Sequence, residues 1–354
     1  MTANSPSLRS IEQLRSYLTQ RGWSFADCHL EALDTFEPTF PIRIPIYYAN
    51  LIDWQNPDDP LKKLVIPDIR EQAAKAYEVG DPIGDHHHEV VPGLVHRYPD
   101  RCLLLLTSYC LVHCRFCFRR EVVGKVRPVQ FQAMLQYLEK HPEVKELIFS
   151  GGDPFSFPVG FLSSMRQHFA PLKQLKIWRF HTRIPAIDPM AISAEWLAEL
   201  AAVPVDQKII VIHIDHAHEI TPEFKTIVKK LQQIGCMVLS QTVLLKGVNA
   251  DQQSLIELFH GLVEAGVKPY YLHHLDKVFG SHHFRISIEE GKRLYQSLRG
   301  NLTGVGLPEY VLDSPAGEGK IPVMWMRRLP SSKQPTYEFE TFTGKKTTYI
   351  DYAD

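Results

Sequence analysis

Cys110, Cys114 and Cys117 stand in the run Tyr109-Cys110-Leu111-Val112-His113-Cys114-Arg115-Phe116-Cys117-Phe118-Arg119-Arg120, a CxxxCxxC spacing with no fourth cysteine near it. A four-iron cube of the iron–sulfur type takes four ligands, so three thiolates leave one iron open to a small molecule. An open iron offers chemistry rather than plain structural support. A structural zinc site takes closed coordination, usually from two cysteine pairs or added histidines, and three thiols in one short loop supply that poorly, even with His113 nearby. Disulfides are disfavoured too. The six cysteines are spread over 354 residues with no secretory leader pattern, and a reducing cytoplasm is the expected compartment.

The elements that must position this loop are legible between about Arg101 and Gly300. Short β-branched or leucine-rich runs at 102–107, 146–149, 175–180, 208–214, 237–244 and 267–273 alternate with helical patterns. Phe131/Met134/Leu135/Leu138 and Leu255/Leu258/Phe259/Leu262 are spaced for one helix face. Thr221-Pro222-Glu223 reads as a helix start, with a capping hydroxyl, proline at the first position and an acid in the first turn. Six β–α units of roughly 30 residues predict a parallel sheet, either open and doubly wound or curved into a partial barrel.

In both architectures ligands sit at the carboxyl ends of the strands. The cysteine loop follows the first strand, Ser150-Gly151-Gly152-Asp153-Pro154 the second, and His213-Ile214-Asp215-His216 the fourth; Gln241 lies on the fifth and Asp276 trails the sixth. Residues 1–98 read as a mostly helical and irregular extension, with Leu8/Ile11/Leu14/Leu18 as an apolar stripe. Residues 99–300 form the core. Residues 301–354 are a short C-terminal segment. With Lys+Arg 39 against Asp+Glu 40 and a formal charge of −1, nothing points to nucleic acid, and no apolar run approaches a membrane span.

The cysteine loop after a first strand and the glycine pair after a second resemble the radical S-adenosylmethionine superfamily. A Gly-Gly in that place is equally a tight βα turn. The resemblance narrows at Asp313-Ser314-Pro315-Ala316-Gly317-Glu318-Gly319-Lys320, which is similar to the pyridoxal-phosphate lysine loop of the lysine 2,3-aminomutase family. Ordered likeness continues through Tyr47-Tyr48, Asn56-Pro57-Asp58-Asp59-Pro60, the segment 91–101, Ser150-Gly151-Gly152-Asp153, Gln241 and Pro269-Tyr270-Tyr271, so it covers almost the whole chain.

That resemblance implies a partial (β/α)6 barrel of the radical SAM type. It implies a [4Fe–4S] cluster on Cys110, Cys114 and Cys117, with S-adenosyl-L-methionine on its open iron beside Ser150, Gly151 and Gly152. Lys320 would hold pyridoxal 5′-phosphate as a Schiff base, with Arg101, Arg97, Tyr98 and Gln241 around the cofactor and Arg101 the stronger candidate for its phosphate. The substrate implied is L-lysine, its carboxylate on Arg119 and its side-chain ammonium between Asp276 and Asp313. Two carboxylates suit a desolvated ammonium and would repel a second acid. The reaction implied is an isomerisation, the 2,3-migration of an amino group, with an electron donor such as a flavodoxin or ferredoxin as partner.

Other readings stay open: a different amino acid as substrate, or a radical enzyme without pyridoxal phosphate. Within the family, Phe149–Pro154, Cys117–Arg120 and Leu275–Val278 look more like the branch that makes (R)-β-lysine for elongation factor P. Gly317–Met324 looks more like the stand-alone aminomutases. No cysteine follows Cys236, a departure from the cysteine-rich extension of the stand-alone enzymes that leaves the homo-oligomeric state open. His86-His87-His88-Glu89 reads as a solvated polar loop, and no role is assigned to Asp215, His216 or the histidines around the sixth strand.

Overall fold

The computed structural model describes residues 5–73, 75–125, 129–315, 317–330 and 332–352. Ala316, within the loop before Lys320, lies outside the described residues. Helix α1 (Ile11–Thr19) starts where the Ser10 hydroxyl accepts from the Gln13 N–H, and it buries Leu14, Tyr17 and Leu18. Leu8 of the expected stripe lies instead in a short antiparallel pairing of Ser7–Leu8 with Ile44–Pro45.

The expected array is present and longer than the spacing suggests. Its first two strands, β1 (Glu89–Val91) and β2 (Leu94–Tyr98), form a hairpin inside the segment read as mostly helical. Pro92-Gly93 makes the turn, with Gly93 at φ 84°, where a side chain would be strained. Six parallel strands follow: β3 (Arg101–Thr107), β4 (Glu146–Gly151), β5 (Ile177–Thr182), β6 (Gln207–His213), β7 (Cys236–Leu244) and β8 (Lys268–His274). Strand β5 begins two residues later than its apolar run, because the Leu175 N–H turns back to the Leu172 carbonyl at 3.0 Å.

After each of these strands comes a helix of eight residues or more: α2 (Phe131–Lys140), α3 (Val159–Phe169), α4 (Ala194–Ala201, preceded by the helical turn Ile184–Ile187), α5 (Pro222–Gln233), α6 (Gln252–Glu264) and α7 (Ile288–Leu298). Both spacing-predicted stripes are buried on α2 and α6, in part or whole, and Thr221 caps α5 by accepting from the Phe224 N–H at 3.1 Å. Strand β9 (Glu309–Asp313) adds parallel to β8, and β10 (Lys320–Pro322) pairs antiparallel with β9, setting Asp313 opposite Lys320. A small antiparallel sheet of β11 (Arg327–Arg328), β12 (Thr336–Glu340) and β13 (Lys346–Ile350) follows. Strand pairing therefore crosses both expected boundaries, at 98/99 and 300/301.

The ten strands lie in strictly sequential order, β10 to β1, with no switch point. Right-handed crossovers then put the helices on one face and leave the other face to curl on itself. Two contacts show that it does. The Tyr98 hydroxyl of β2 accepts from the Lys320 backbone N–H of β10 at 2.8 Å, and a side chain at Gly317 would meet Gly84 and His88. Strands eight places apart in a sheet meet only if it bends round, so the fold is a partial barrel rather than a doubly wound sheet. Burial alternates accordingly on β5, where Trp178 and Phe180 join the helix-side core with Phe149 and Trp196, while Arg179 and His181 face the concave side. Among the described residues no helix is long and apolar enough to cross a membrane.

Candidate active site

Strand β3 delivers the cysteine loop to the carboxyl end of the barrel, and the N-terminal segment clamps it there. The His113 N–H donates to the Arg43 carbonyl at 3.0 Å and the Arg115 N–H to the Leu64 carbonyl at 2.9 Å. Buried Arg115 forks onto both oxygens of Glu71, at 2.8 and 2.5 Å, and Arg120 adds a bond to Glu71 Oε2 at 2.7 Å. His113 packs its ring against Phe40 and bonds the Pro41 carbonyl through Nδ1, and burial lowers its pKa to about 4.

The three thiols are free and partly buried. Burial raises all three above the ordinary thiol value, with Cys114 pushed up to about 12, so loading a metal must take their protons. Among the described residues no three His, Cys, Asp or Glu side chains converge on one ion. Thiolates that each bind a different iron of a cube need no such convergence.

The glycine pair closes against this loop. Gly151 has φ 109°, and a Cβ there would fall on the Thr107 carbonyl; one at Gly152 would fall on the Tyr109 carbonyl, one residue before Cys110. The tight βα turn is thus real. It also brings the Ser150–Gly152 backbone directly under the cysteine loop. Gly152→Ala is expected to destabilise the protein by about 1–3 kcal/mol through overpacking, measurable as a lower midpoint in chemical unfolding.

On the other side of the mouth, Lys320 Nζ donates to both oxygens of Asp313, at 2.8 and 2.7 Å, and lies 5.6 Å from the Tyr271 ring centroid. Burial alone would raise the Asp313 carboxyl; the Lys320 ammonium and His273 Nδ1, 3.5 Å away, outweigh it and hold the group well below the usual range. Among the described residues no cation forms an ion pair with Asp276. Burial, then the Asp313 charge, push its pKa up, against the weaker pull of Lys320, Arg285 and Arg119. Gln241 sits in register between His213 and Tyr271.

The arginines meet a residue that the sequence reading passed over. Asp85 takes Arg97 on one oxygen at 2.9 Å and Arg119 on the other at 2.7 Å, while Arg119 also donates to Ser150 Oγ at 3.2 Å. Asp85 opens the His86-His87-His88 run; the polar loop hid an acid aimed inward. Arg101 stacks over the Tyr98 ring at 3.9 Å and keeps one arm on Asp100 at 2.7 Å. A small pocket lies beside Arg119, with Asp85, Thr107, Phe118 and Gly151 in its wall.

The two groups share one mouth: Asp276 feels both Lys320 and Arg119, and His181 feels Arg179, Lys320, His273 and Arg119. Among the described residues His181 Nε2 has no hydrogen-bond partner, as expected of an atom that faces a ligand. Its burial holds the ring neutral. No periodicity or motif in the sequence marks His181.

A family model described as the radical SAM superfamily matches residues 104–259. The L-lysine 2,3-aminomutase of Escherichia coli is 37% identical over 80% of this chain and 83% of its own length. That of Clostridium subterminale is 34% identical over 97% of this chain and 82% of its own. That of Fusobacterium nucleatum is 32% identical over 97% of this chain and 80% of its own.

Proposed function

The chain belongs to the L-lysine 2,3-aminomutase family of the radical SAM superfamily, and from that premise we propose that it converts L-lysine to β-lysine by moving the 2-amino group to carbon 3. The family's cofactors are a [4Fe–4S] cluster, S-adenosylmethionine and pyridoxal phosphate. The residues fit them. Three unpaired thiols share a loop, a primary amine stands on Asp313 at the edge strand β10, and among the described residues the buried nitrogens His181 Nε2 and Arg97 Nε lack protein partners. When bound, the cluster and S-adenosylmethionine supply a radical able to take hydrogen from an unactivated carbon, and pyridoxal phosphate supplies the π system for nitrogen transfer.

In this reading Cys110, Cys114 and Cys117 hold the cluster, and Ser150, Gly151 and Gly152 border S-adenosylmethionine. Lys320 anchors pyridoxal phosphate, with Arg101, Arg97, Tyr98 and Gln241 around it. Arg119 takes the substrate carboxylate, and Asp276 and Asp313 take the side-chain ammonium. The observation that carries the reading is the charge pattern of the mouth, with a guanidinium next to the cysteine loop and two carboxylates next to Lys320. A flavodoxin or ferredoxin is the proposed reductant. Likeness of Phe149–Pro154 and Leu275–Val278 to the elongation factor P branch supports (R)-β-lysine as product, which chiral analysis of the product tests.

Asp276 gives the reading a pH signature. Its folded-state pKa lies above the unfolded value, so it keeps a proton where a free aspartate has lost one. It therefore lowers stability progressively as pH rises from the unfolded carboxylate range toward the folded one. A lysine ammonium favours the ionised form, so lysine binding should release protons, its affinity should rise with pH, and the stability loss should vanish when lysine is bound. Calorimetry in buffers of different ionisation enthalpy measures the release; none in wild type contradicts the assignment. Asp276→Asn and Asp313→Asn should each lower kcat/KM for lysine by roughly 5–150-fold, about 1–3 kcal/mol. Unchanged lysine kinetics in both would defeat the specificity argument.

A further inference from the structure

Arg183, just past the end of β5, is 5% exposed, and its Nη1 lies 3.4 Å from Cys114 Sγ. The same nitrogen donates to Asp215 at 2.7 Å and Nη2 donates to Glu219 at 2.9 Å; both acids have no solvent exposure. Neither acid is loose. Asp215 also accepts from the Val243 N–H at 2.9 Å and His213 Nε2 at 3.1 Å. Glu219 accepts from the Asp215 and His216 N–H groups and from the Tyr48 hydroxyl at 3.1 Å. The Arg183 backbone N–H is fixed on Asp153, the acid after the glycine pair, at 2.7 Å.

A buried arginine between two acids is complete as a structural ion triad without touching a thiol. Here one N–H is shared with a cysteine of the proposed cluster loop, and Nε, also buried, has no partner among the described residues. The cation is therefore turned toward the loop with donor capacity unspent. Reduction adds negative charge to an iron–sulfur cube, and hydrogen bonds and positive charge at its thiolates favour the reduced form.

We propose that Arg183 tunes the reduction potential of the cluster, donating a guanidinium N–H to the Cys114 thiolate while Asp215 and Glu219 fix its orientation. It is a positioning residue, acting through a cluster ligand. The inference rests on the cysteine loop holding a [4Fe–4S] cluster, and the test separates the two. The full chain is reconstituted with iron and sulfide without oxygen, and the cluster is titrated by electron paramagnetic resonance in wild type, R183K and R183Q. Iron and sulfide at background in all three overturn the cluster reading itself.

With clusters loaded, R183Q should show a potential more negative by at least 59 mV, a tenfold change in the one-electron equilibrium, and R183K, which keeps the charge, a smaller shift. An unchanged potential in a loaded R183Q overturns the inference. Should R183Q fail to hold a cluster, arginine labelled with ¹⁵N at the guanidinium decides. Wild type should show nitrogen coupling to the cluster spin that R183K lacks, and equal coupling in both overturns the inference.

Discussion

Lys320→Ala should abolish covalent attachment of pyridoxal phosphate and lower aminomutase turnover by at least about 10³-fold, the scale on which loss of a covalent group acts. Borohydride reduction followed by mass measurement of the intact chain reads the first effect directly: wild type gains one cofactor, the variant none. The geometry adds a sharper form of the test. Lys320 spends its ammonium on both oxygens of Asp313, and in the proposed role attachment of the cofactor would end that ammonium pairing. Asp313 is then free for another ammonium. Lys320→Arg keeps a charge for buried Asp313 while removing the primary amine, so it should preserve folding and still lose attachment. Cofactor bound covalently in Lys320→Arg would show that a different lysine is the anchor.

Glu71→Ala should destabilise the protein by roughly 3–5 kcal/mol, the cost of removing one partner from a buried ion pair. Arg115 is fully buried and Arg120 has 4% side-chain exposure, and Glu71 is the carboxylate both share. Burial acts to raise the Glu71 pKa, but the two guanidiniums outweigh it and the net shift is downward. The stability it contributes is therefore present above the unfolded glutamate value and is lost as pH falls through the folded one. Because Arg115 and Arg120 flank Cys114 and Cys117, iron bound after reconstitution should fall together with the unfolding midpoint. Replacing Glu71, Arg115 and Arg120 together by apolar residues of similar volume should recover much of the stability. Glu71→Ala with an unchanged midpoint and full iron content would mean that this triad does not hold the loop.

What the sequence made legible was periodic or local. The alternation of apolar runs with helical stripes placed the six parallel strands and their helices, and Thr221-Pro222 marked the start of α5 because capping is written in adjacent residues. The hairpin of β1 and β2 was missed although Pro92-Gly93 is a turn signal. Its strands are short, and β1 is only partly buried on one side, so no clean alternation announces it. Residues that hold the site from a distance left no pattern at all. Asp85 reaches Arg119 across 34 positions, Glu71 reaches Arg115 across 44, and Arg183 reaches Cys114 across 69. Such pairs exist only once the barrel has closed. The glycine pair was legible both as a ligand approach and as a tight βα turn, and the carbonyls of Thr107 and Tyr109, which forbid a side chain there, bear out the turn.

The central claim is that the cysteine loop and Lys320 serve one bound amino acid between them. Anaerobic protein carrying iron, sulfide and pyridoxal phosphate, given S-adenosylmethionine and a strong reductant, should be offered lysine, glutamate and arginine in separate reactions. Conversion of lysine alone to its β-isomer is the predicted result. Cleavage of S-adenosylmethionine with lysine left unchanged, or glutamate rearranged as readily as lysine, would contradict it.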